Sequence, residues 1–114
     1  MISLLRADSR YLPLKDESVD LVITSPPYNV GLNYEGYNDA LSRKEYTLLL
    51  YDVFTELMRV CKDGSRLCFN LPCVSASRHN KAFDKPIHYA GLVWNLADSA
   101  GFTIRDEIIW NKNH

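Results

Sequence analysis

Hydrophobic residues along the chain fall into runs with the period of strands and runs with the period of helices. The first run, Val19 to Ile23, is short and largely β-branched, which is typical of a parallel strand buried on both faces. Apolar and polar residues alternate over 65–71 and predict a second strand there. A third strand is predicted over 102–110.

Two helices are predicted between these strands. Ser42 and Glu45 have the spacing of a capping box, and an apolar stripe at helical spacing follows until the turn at 62–64. The stripe consists of Tyr46, Leu49, Leu50, Val53, Phe54, Leu57 and Val60. The second helix is predicted from Ile87 to Ala100 and ends at Gly101. This succession predicts an α/β fold with a mostly parallel sheet and crossover helices.

Two segments have no apolar period and are predicted to be loops. Residues 29–38 are rich in glycine, asparagine and tyrosine and predict a mobile loop that can fold over a substrate. Residues 74–86 are polar and include the basic cluster Arg78, His79, Lys81 and Lys85. That cluster fits either contacts with phosphates or an ordinary solvated loop.

Composition narrows the class of protein only slightly. The 114 residues are enough for one small α/β domain over 1–114, and the net charge of −1 lacks the basic excess of most duplex-binding proteins. No signal peptide or membrane span is recognisable, so a cytoplasmic location is predicted. The three cysteines are expected to be reduced, and the three histidines have no ligand spacing, so no metal is predicted.

The residues that follow the first strand carry the most distinctive chemistry. Two successive prolines, Pro26 and Pro27, form a rigid turn whose carbonyls face little competition from local donors, because proline has no N–H. Ser25 adds a hydroxyl at the carboxyl end of the strand, where open α/β sheets bind ligands, and Tyr28 adds an aromatic face. The alternative is a plain turn in which Tyr28 only packs.

The string from Thr24 to Asn29 resembles motif IV of the DNA amino-methyltransferases. Those enzymes methylate N4 of cytosine or N6 of adenine with S-adenosylmethionine as the donor. The resemblance implies a partial Rossmann-like methyltransferase fold and double-stranded DNA as the substrate. Serine in the first position, where enzymes acting on adenine usually carry Asp or Asn, favours cytosine N4 over adenine N6.

The resemblance assigns the catalytic motif to Ser25, Pro26, Pro27 and Tyr28. The Ser25 side chain and the Pro26 carbonyl would accept the two hydrogens of the base amine, so that its nitrogen can pyramidalise and attack the methyl group. Tyr28 would stack on the flipped base, with Asn29 beside it. Two other functions stay open: a non-catalytic α/β binding module, and methylation of an amide outside DNA.

Upstream, Ile2 to Ser9 resembles the lead-in of the same family, a strand that ends in an Asp. The resemblance implies a partial S-adenosylmethionine site made by Asp8, Ser9, Thr24 and Ser25. Ala7 stands where the family usually has Gly. The alternative for Asp8 is a turn cap.

Downstream, Glu107 to Lys112 resembles motif VIII, which reaches the flipped base from its other side. Trp110 and Lys112 are the matching positions, with rim packing and a solvated charge as the alternatives.

None of the five glycines forms a Gly-x-Gly loop after a strand. The resemblance therefore covers the catalytic half of an enzyme, and we expect the target-recognition region and the Gly-rich cofactor half to be absent. A fragment, a natural half and a remnant are all compatible with this. The predicted partner is a complementary methyltransferase half or a second copy, and the chain alone is expected to be inactive.

Overall fold

A computed structural model describes residues 1–72 and 87–112 of the chain. Its elements are strands β1 (Val19–Thr24), β2 (Asn33–Tyr34) and β3 (Tyr37–Asn38), helix α1 (Arg43–Val60), strand β4 (Cys61–Phe69) and helix α2 (Tyr89–Ala100). The mixture of strands and helices confirms the α/β class. Cys73, the polar loop at 74–86 with its basic cluster, and His114 lie outside the described residues.

Helix α1 begins where the sequence predicts. The Ser42 hydroxyl accepts a hydrogen bond from the Glu45 N–H at 3.2 Å, and the Glu45 carboxylate accepts one from the Ser42 N–H at 2.8 Å. This capping box satisfies two donors that the helix itself leaves unpaired. The predicted apolar stripe forms the buried side of the helix.

The chain passes from α1 directly into β4, without the separate turn predicted at 62–64. Cys61 pairs with Val19, and the next paired residue, Arg66, lies opposite Leu21, so the intervening residues of β4 form a bulge. Gly64 has a φ of +79° within this bulge, a conformation that favours glycine. The turn signal thus marks a bulge near the start of the strand.

Strands β1 and β4 pair in parallel, as predicted, and α1 is the crossover between them. Val22 lies beside Leu67 and Thr24 beside Phe69, and these four side chains are at least half-buried. The Phe69 ring packs on Phe54 of α1, with ring centroids 4.8 Å apart. The core cluster consists of Tyr46, Leu50, Phe54, Ile87, Tyr89 and Ala97.

Only one face of this two-stranded sheet is covered by the described residues. Leu21 and Ile23 point to the other face and are 53% and 74% exposed. The prediction that the first strand is buried on both faces is therefore wrong for this chain. The reason is that α1 and α2 pack together on the same face, and no described element packs on the other.

The segment before β1 lies against the last turns of helix α1. The Arg59 guanidinium donates to the carbonyls of Leu12 and Leu14, at 3.0 and 2.9 Å, and to the Asp16 carboxylate at 2.7 Å. Glu56 accepts from the Leu12 N–H at 2.6 Å, and its hydrogen bond from Arg59 lowers the pKa of its carboxyl. These bonds fix the path by which the chain enters the sheet.

Two predicted strands, at 2–8 and at 102–110, are not formed. The N-terminal residues are exposed, and Ile108 and Ile109 near the other end are 91% and 72% exposed. A strand needs a neighbour to satisfy its backbone groups, and in the described residues β1 and β4 pair only with each other. The described sheet therefore has two strands in place of four, and a full Rossmann-like fold is not observed.

The segment 29–38, predicted to be a loop without regular structure, contains a small hairpin. Asn33 pairs with Asn38 and Tyr34 with Tyr37 in an antiparallel register. Gly36 lies in its turn with a φ of +74°. The Tyr34 and Tyr37 rings pack edge to face. Strands of two residues are too short to show an alternating pattern, so the sequence does not predict this hairpin.

Neither described helix has the length and the apolar composition needed to cross a bilayer. Over the same residues, no group of three or more His, Cys, Asp or Glu side chains is arranged to hold a metal ion.

Candidate functional site

The loop from Ser25 to Tyr28 begins at the carboxyl end of β1. It lies beside the end of β4, because the Asn70 N–H donates to the Thr24 carbonyl at 2.8 Å and extends the strand pairing by one residue. Ser25 is exposed, and the next three residues are half-buried. This is the edge of a parallel sheet at which α/β proteins bind ligands.

Two buried tyrosines hold the main chain of the loop. Tyr46 of α1 donates its hydroxyl to the Pro27 carbonyl at 2.7 Å, and Tyr89 of α2 donates its hydroxyl to the Tyr28 carbonyl. Both tyrosines are at most 1% exposed, and their rings pack edge to face with centroids 6.4 Å apart. The loop is thus bonded to both helices through its backbone.

The carbonyls of the loop are used selectively. Those of Pro27 and Tyr28 accept the tyrosine hydroxyls, whereas the carbonyl of Pro26 accepts no hydrogen bond from any residue that the structure describes. The two prolines contribute no N–H that could compete for it. Among the described residues, the Pro26 carbonyl thus differs from its two neighbours in having no donor, and the Ser25 hydroxyl lies at the same edge of the sheet.

The hydroxyls of Ser25 and Tyr28 are bonded to each other, with 2.9 Å between Oγ and Oη. The Asn70 amide nitrogen lies 3.3 Å from the same Tyr28 oxygen. The Tyr28 ring also packs edge to face on Tyr89, with centroids 6.3 Å apart. Both ends of this half-buried aromatic side chain are consequently held in place.

Asn29 lies beneath the loop and not at its surface. It is 0% exposed, with a φ of +57° that asparagine tolerates better than most residues, and its amide both donates to and accepts from the Leu41 backbone at 2.8 and 2.7 Å. Asp39, 3% exposed, accepts from the N–H groups of Asn29, Val30 and Leu32 at 2.9–3.2 Å. The Asn29 side chain, predicted to contact the base, thus bonds to the Leu41 backbone and joins the two ends of the hairpin segment.

Asp8, predicted to face the cofactor, is bonded within its own turn. Its carboxylate accepts from the Arg10 N–H at 2.9 Å and from the Arg10 guanidinium at 2.7 Å. The Arg10 side chain lowers the pKa of Asp8 to about 2. Asp8 and Ser9 are exposed. This geometry agrees with the alternative in which Asp8 caps a turn.

The predicted cofactor residues do not assemble into one site. The Asp8 carboxylate is paired with Arg10, the Thr24 carbonyl accepts from Asn70, and the Ser25 hydroxyl is shared with Tyr28. S-adenosylmethionine needs acceptors for its adenine amine and ribose hydroxyls together with partners for its charged amino-acid end. The described residues by themselves therefore do not fit the cofactor.

Trp110 and Lys112 are not brought to the loop. Trp110 is 77% exposed, and the Lys112 ammonium lies over its ring, 4.6 Å from the centroid. In the described part of the chain, no ring contact or hydrogen bond joins Trp110 to Tyr28. The described structure therefore does not bring Trp110 and Lys112 to the side of the loop on which the resemblance places the base.

The sequence gives no motif for four side chains that shape the loop, namely Tyr46, Tyr89, Asp39 and Asn70. Tyr46 belongs to the predicted apolar stripe. Helical spacing indicates that its side chain is buried but does not identify the hydrogen-bond partner of its hydroxyl. A usable signal exists, since a tyrosine at a core position needs a hydrogen-bond partner for its oxygen. For Asp39 and Asn70 we find no such signal.

Comparison with known proteins gives a consistent class. A family model described as DNA methylase matches residues 19–114, from the first residue of β1 onward. The chain is 35% identical over 113 residues to the type II methyltransferase M.MjaVI of Methanocaldococcus jannaschii. It is 35% identical over 92 residues to the type II methyltransferase M.ScaI of Streptomyces caespitosus, and 32% identical over 96 residues to the DNA adenine methyltransferase YhdJ of Escherichia coli.

The lengths of these relatives differ from that of the chain. The match to M.MjaVI covers 99% of the chain and 55% of the relative. The matches to M.ScaI and YhdJ cover 81% and 83% of the chain and 27% of each relative. The chain thus spans about half or less of the curated relatives it matches. No solved structure matches it.

Tyr46→Phe tests whether the loop depends on a tyrosine hydroxyl. We expect this change to lower the free energy of unfolding at pH 8 by about 0.5–1.5 kcal/mol, the usual worth of one hydrogen bond. Burial raises the pKa of Tyr46 above its ordinary value. Above about pH 10 the unfolded state releases this proton and the folded state keeps it, so the unmutated protein loses stability and the difference narrows.

Urea unfolding at pH 8 and at pH 10.5 measures both effects. Tyr51→Phe is the matched control, because Tyr51 lies on the same helix but is 39% exposed. We expect that control to change stability by less than about 0.5 kcal/mol. Equal losses for the two variants at pH 8 would contradict the role assigned to Tyr46.

Proposed function

Because the chain belongs to the DNA methylase family, we propose that it supplies the base-binding half of an enzyme that methylates an exocyclic base amine in double-stranded DNA. The donor in this proposal is S-adenosylmethionine, which would supply a methyl group on a sulfonium. As the nitrogen–carbon bond forms, the carbon–sulfur bond would break, the thioether would leave, and the methylated nitrogen would lose one proton to solvent. One observation carries the proposal. Tyrosine hydroxyls occupy the Pro27 and Tyr28 carbonyls, and no described residue occupies the Pro26 carbonyl.

The chemistry of a base amine explains why this pair of acceptors matters. The lone pair of the amine nitrogen is delocalised into the ring, so the nitrogen is a poor nucleophile. When both amine hydrogens are bonded to acceptors, the nitrogen can pyramidalise and its lone pair becomes available for attack. In this proposal Ser25 Oγ accepts one hydrogen and the Pro26 carbonyl accepts the other.

Tyr28 is the proposed stacking platform for the base. Enzymes that modify a base take it out of the duplex, and stacking on an aromatic ring contributes about 1–3 kcal/mol per base. The ring is half-buried and held at both ends. Its side chain therefore loses little further conformational entropy when the base binds. Pro27 serves by keeping the turn rigid and by bonding to Tyr46.

We propose cytosine N4 as the favoured target, with adenine N6 as the alternative. Ser25 supports cytosine, because the resemblance associates adenine enzymes with Asp or Asn at this position. One relative, YhdJ, is named a DNA adenine methyltransferase, and this keeps the alternative open. Both bases carry an exocyclic amine beside a ring nitrogen, so the acceptor arrangement is compatible with either.

The proposal also requires additional polypeptide. The uncovered sheet face carries Leu21 and Ile23, and the chain spans 55% of M.MjaVI. We infer that the rest of a methyltransferase, in the same polypeptide or in a separate chain, packs on this face, and that a second copy does so in its absence. Asp8 and Ser9 are then proposed to face the cofactor that such an assembly holds.

In the completed assembly, Trp110 and Lys112 are proposed to reach the base from the side opposite Tyr28. Their segment, 102–112, forms no strand in the described structure. Pairing with a completed sheet would give it the neighbour it lacks.

Ser25→Ala and Tyr28→Ala test the proposed function. The assay is methyl transfer from labelled S-adenosylmethionine to unmethylated plasmid DNA, with this chain completed by the part of M.MjaVI outside the match. We expect Ser25→Ala to lower kcat roughly 100- to 1,000-fold, as for the loss of one preorganised transition-state hydrogen bond. Tyr28→Ala should lower kcat/KM by roughly 5- to 150-fold, from the loss of stacking.

Ser99→Ala and Tyr51→Ala are the matched controls, since both residues are exposed and lie outside the loop and outside the turn of Asp8 and Ser9. Mass spectrometry of the digested DNA identifies the product, and we expect N4-methylcytosine. Full activity in both loop variants would overturn the assignment, and N6-methyladenine as the product would select the alternative base.

Sedimentation velocity tests the uncovered sheet face. We expect the chain alone to self-associate as its concentration rises, and Ile23→Lys to suppress this association, because Ile23 is 74% exposed on that face. Leu48→Lys is the control, since Leu48 is 51% exposed on helix α1. A monomer at every concentration would contradict the proposed interface.

A further inference from the structure

Asn70 is the residue that connects the end of the sheet to the proposed stacking ring. It directly follows the last residue of β4, and its N–H donates to the Thr24 carbonyl at 2.8 Å. Its backbone is therefore fixed to the end of β1, from which the Ser25 to Tyr28 loop begins. Its side chain reaches across this edge of the sheet to the Tyr28 hydroxyl, with 3.3 Å between Nδ2 and Oη.

The hydrogen bond from Asn70 to the Tyr28 hydroxyl has a definite direction. An amide nitrogen only donates, so Tyr28 Oη accepts from Asn70. Ser25 Oγ lies 2.9 Å from Tyr28 Oη, and either of these two hydroxyls can donate to the other. Whichever hydroxyl donates, the Ser25 oxygen keeps at least one free lone pair, which is the acceptor that the base amine requires.

We propose that Asn70 is a positioning residue that holds the Tyr28 hydroxyl and thereby orders the stacking ring and the Ser25 acceptor before a base binds. The inference rests on the proposed function. Asn70 acts through Tyr28 and is not assigned a contact with the base. The ring of Tyr28 is already in edge-to-face contact with Tyr89, so the hydrogen bond to Asn70 fixes the far end of a side chain whose near end is packed.

The first arm of the test is independent of methyl transfer and uses the chain alone. Tyrosine labelled with ¹³C at Cζ gives one NMR signal for each of the seven tyrosines, and Tyr28→Phe identifies the signal of Tyr28. We expect Asn70→Ala to shift that signal and to leave the other six unchanged. Asn95→Ala is the control, because Asn95 is exposed on α2. An unshifted Tyr28 signal in Asn70→Ala would overturn the inference.

The second arm is a double-mutant cycle in the methyl-transfer assay. We expect Asn70→Ala to raise KM for DNA roughly 2- to 10-fold, the worth of one neutral hydrogen bond, with kcat changed by less. In a Tyr28→Phe background the same change should have no further effect, because the hydroxyl through which Asn70 acts is gone. An equal effect of Asn70→Ala in both backgrounds would overturn the inference.

The two proposals fail in different ways. If Ser25→Ala abolishes methyl transfer while Asn70→Ala leaves KM unchanged, the proposed function stands and the positioning role is wrong. If the unmutated, completed protein transfers no methyl group to DNA, the proposed function is wrong, and the role of Asn70 in base binding is overturned with it.

Discussion

The hydrogen bonds from two buried tyrosine hydroxyls to the backbone of the Ser25 to Tyr28 loop are the interaction on which the candidate site depends. A turn with two prolines has few N–H groups of its own and cannot be held by ordinary backbone pairing. Tyr46 and Tyr89, one from each helix, hold it by its carbonyls. The position of the loop is therefore set by how the two helices pack, and a stable core is a condition for an ordered site.

The same helices explain why the site is open. They cover one face of a two-stranded sheet, and the loop emerges at the carboxyl edge of that sheet with Ser25 exposed. The other face carries Leu21 and Ile23 without a described neighbour. The chain thus presents the loop at the edge of a sheet that the described residues cover on one face, and it spans 55% of M.MjaVI.

The features of the fold that depend on short stretches of sequence could be predicted from the sequence. The capping box of α1 and the stop of α2 at Gly101 follow from residues close in sequence. The parallel pairing of β1 with β4 follows from the crossover helix between them. The predictions of strands at 2–8 and 102–110 are wrong. A strand needs a neighbouring strand to pair with, and a local sequence pattern does not show whether one is present. The hydroxyl partners of the core tyrosines were missed for a similar reason, since an apolar stripe encodes burial and leaves the hydrogen bond unspecified.

The central claim is that this chain alone presents preformed acceptors for a base amine. An NMR titration of the chain with 1-methylcytosine and with 1-methyluracil tests it most directly, because uracil has a carbonyl oxygen where cytosine has the amine. We expect 1-methylcytosine to shift the resonances of Ser25 and Tyr28 at lower concentration than 1-methyluracil does. Equal responses to the two bases, or shifts confined to other parts of the chain, would contradict the account.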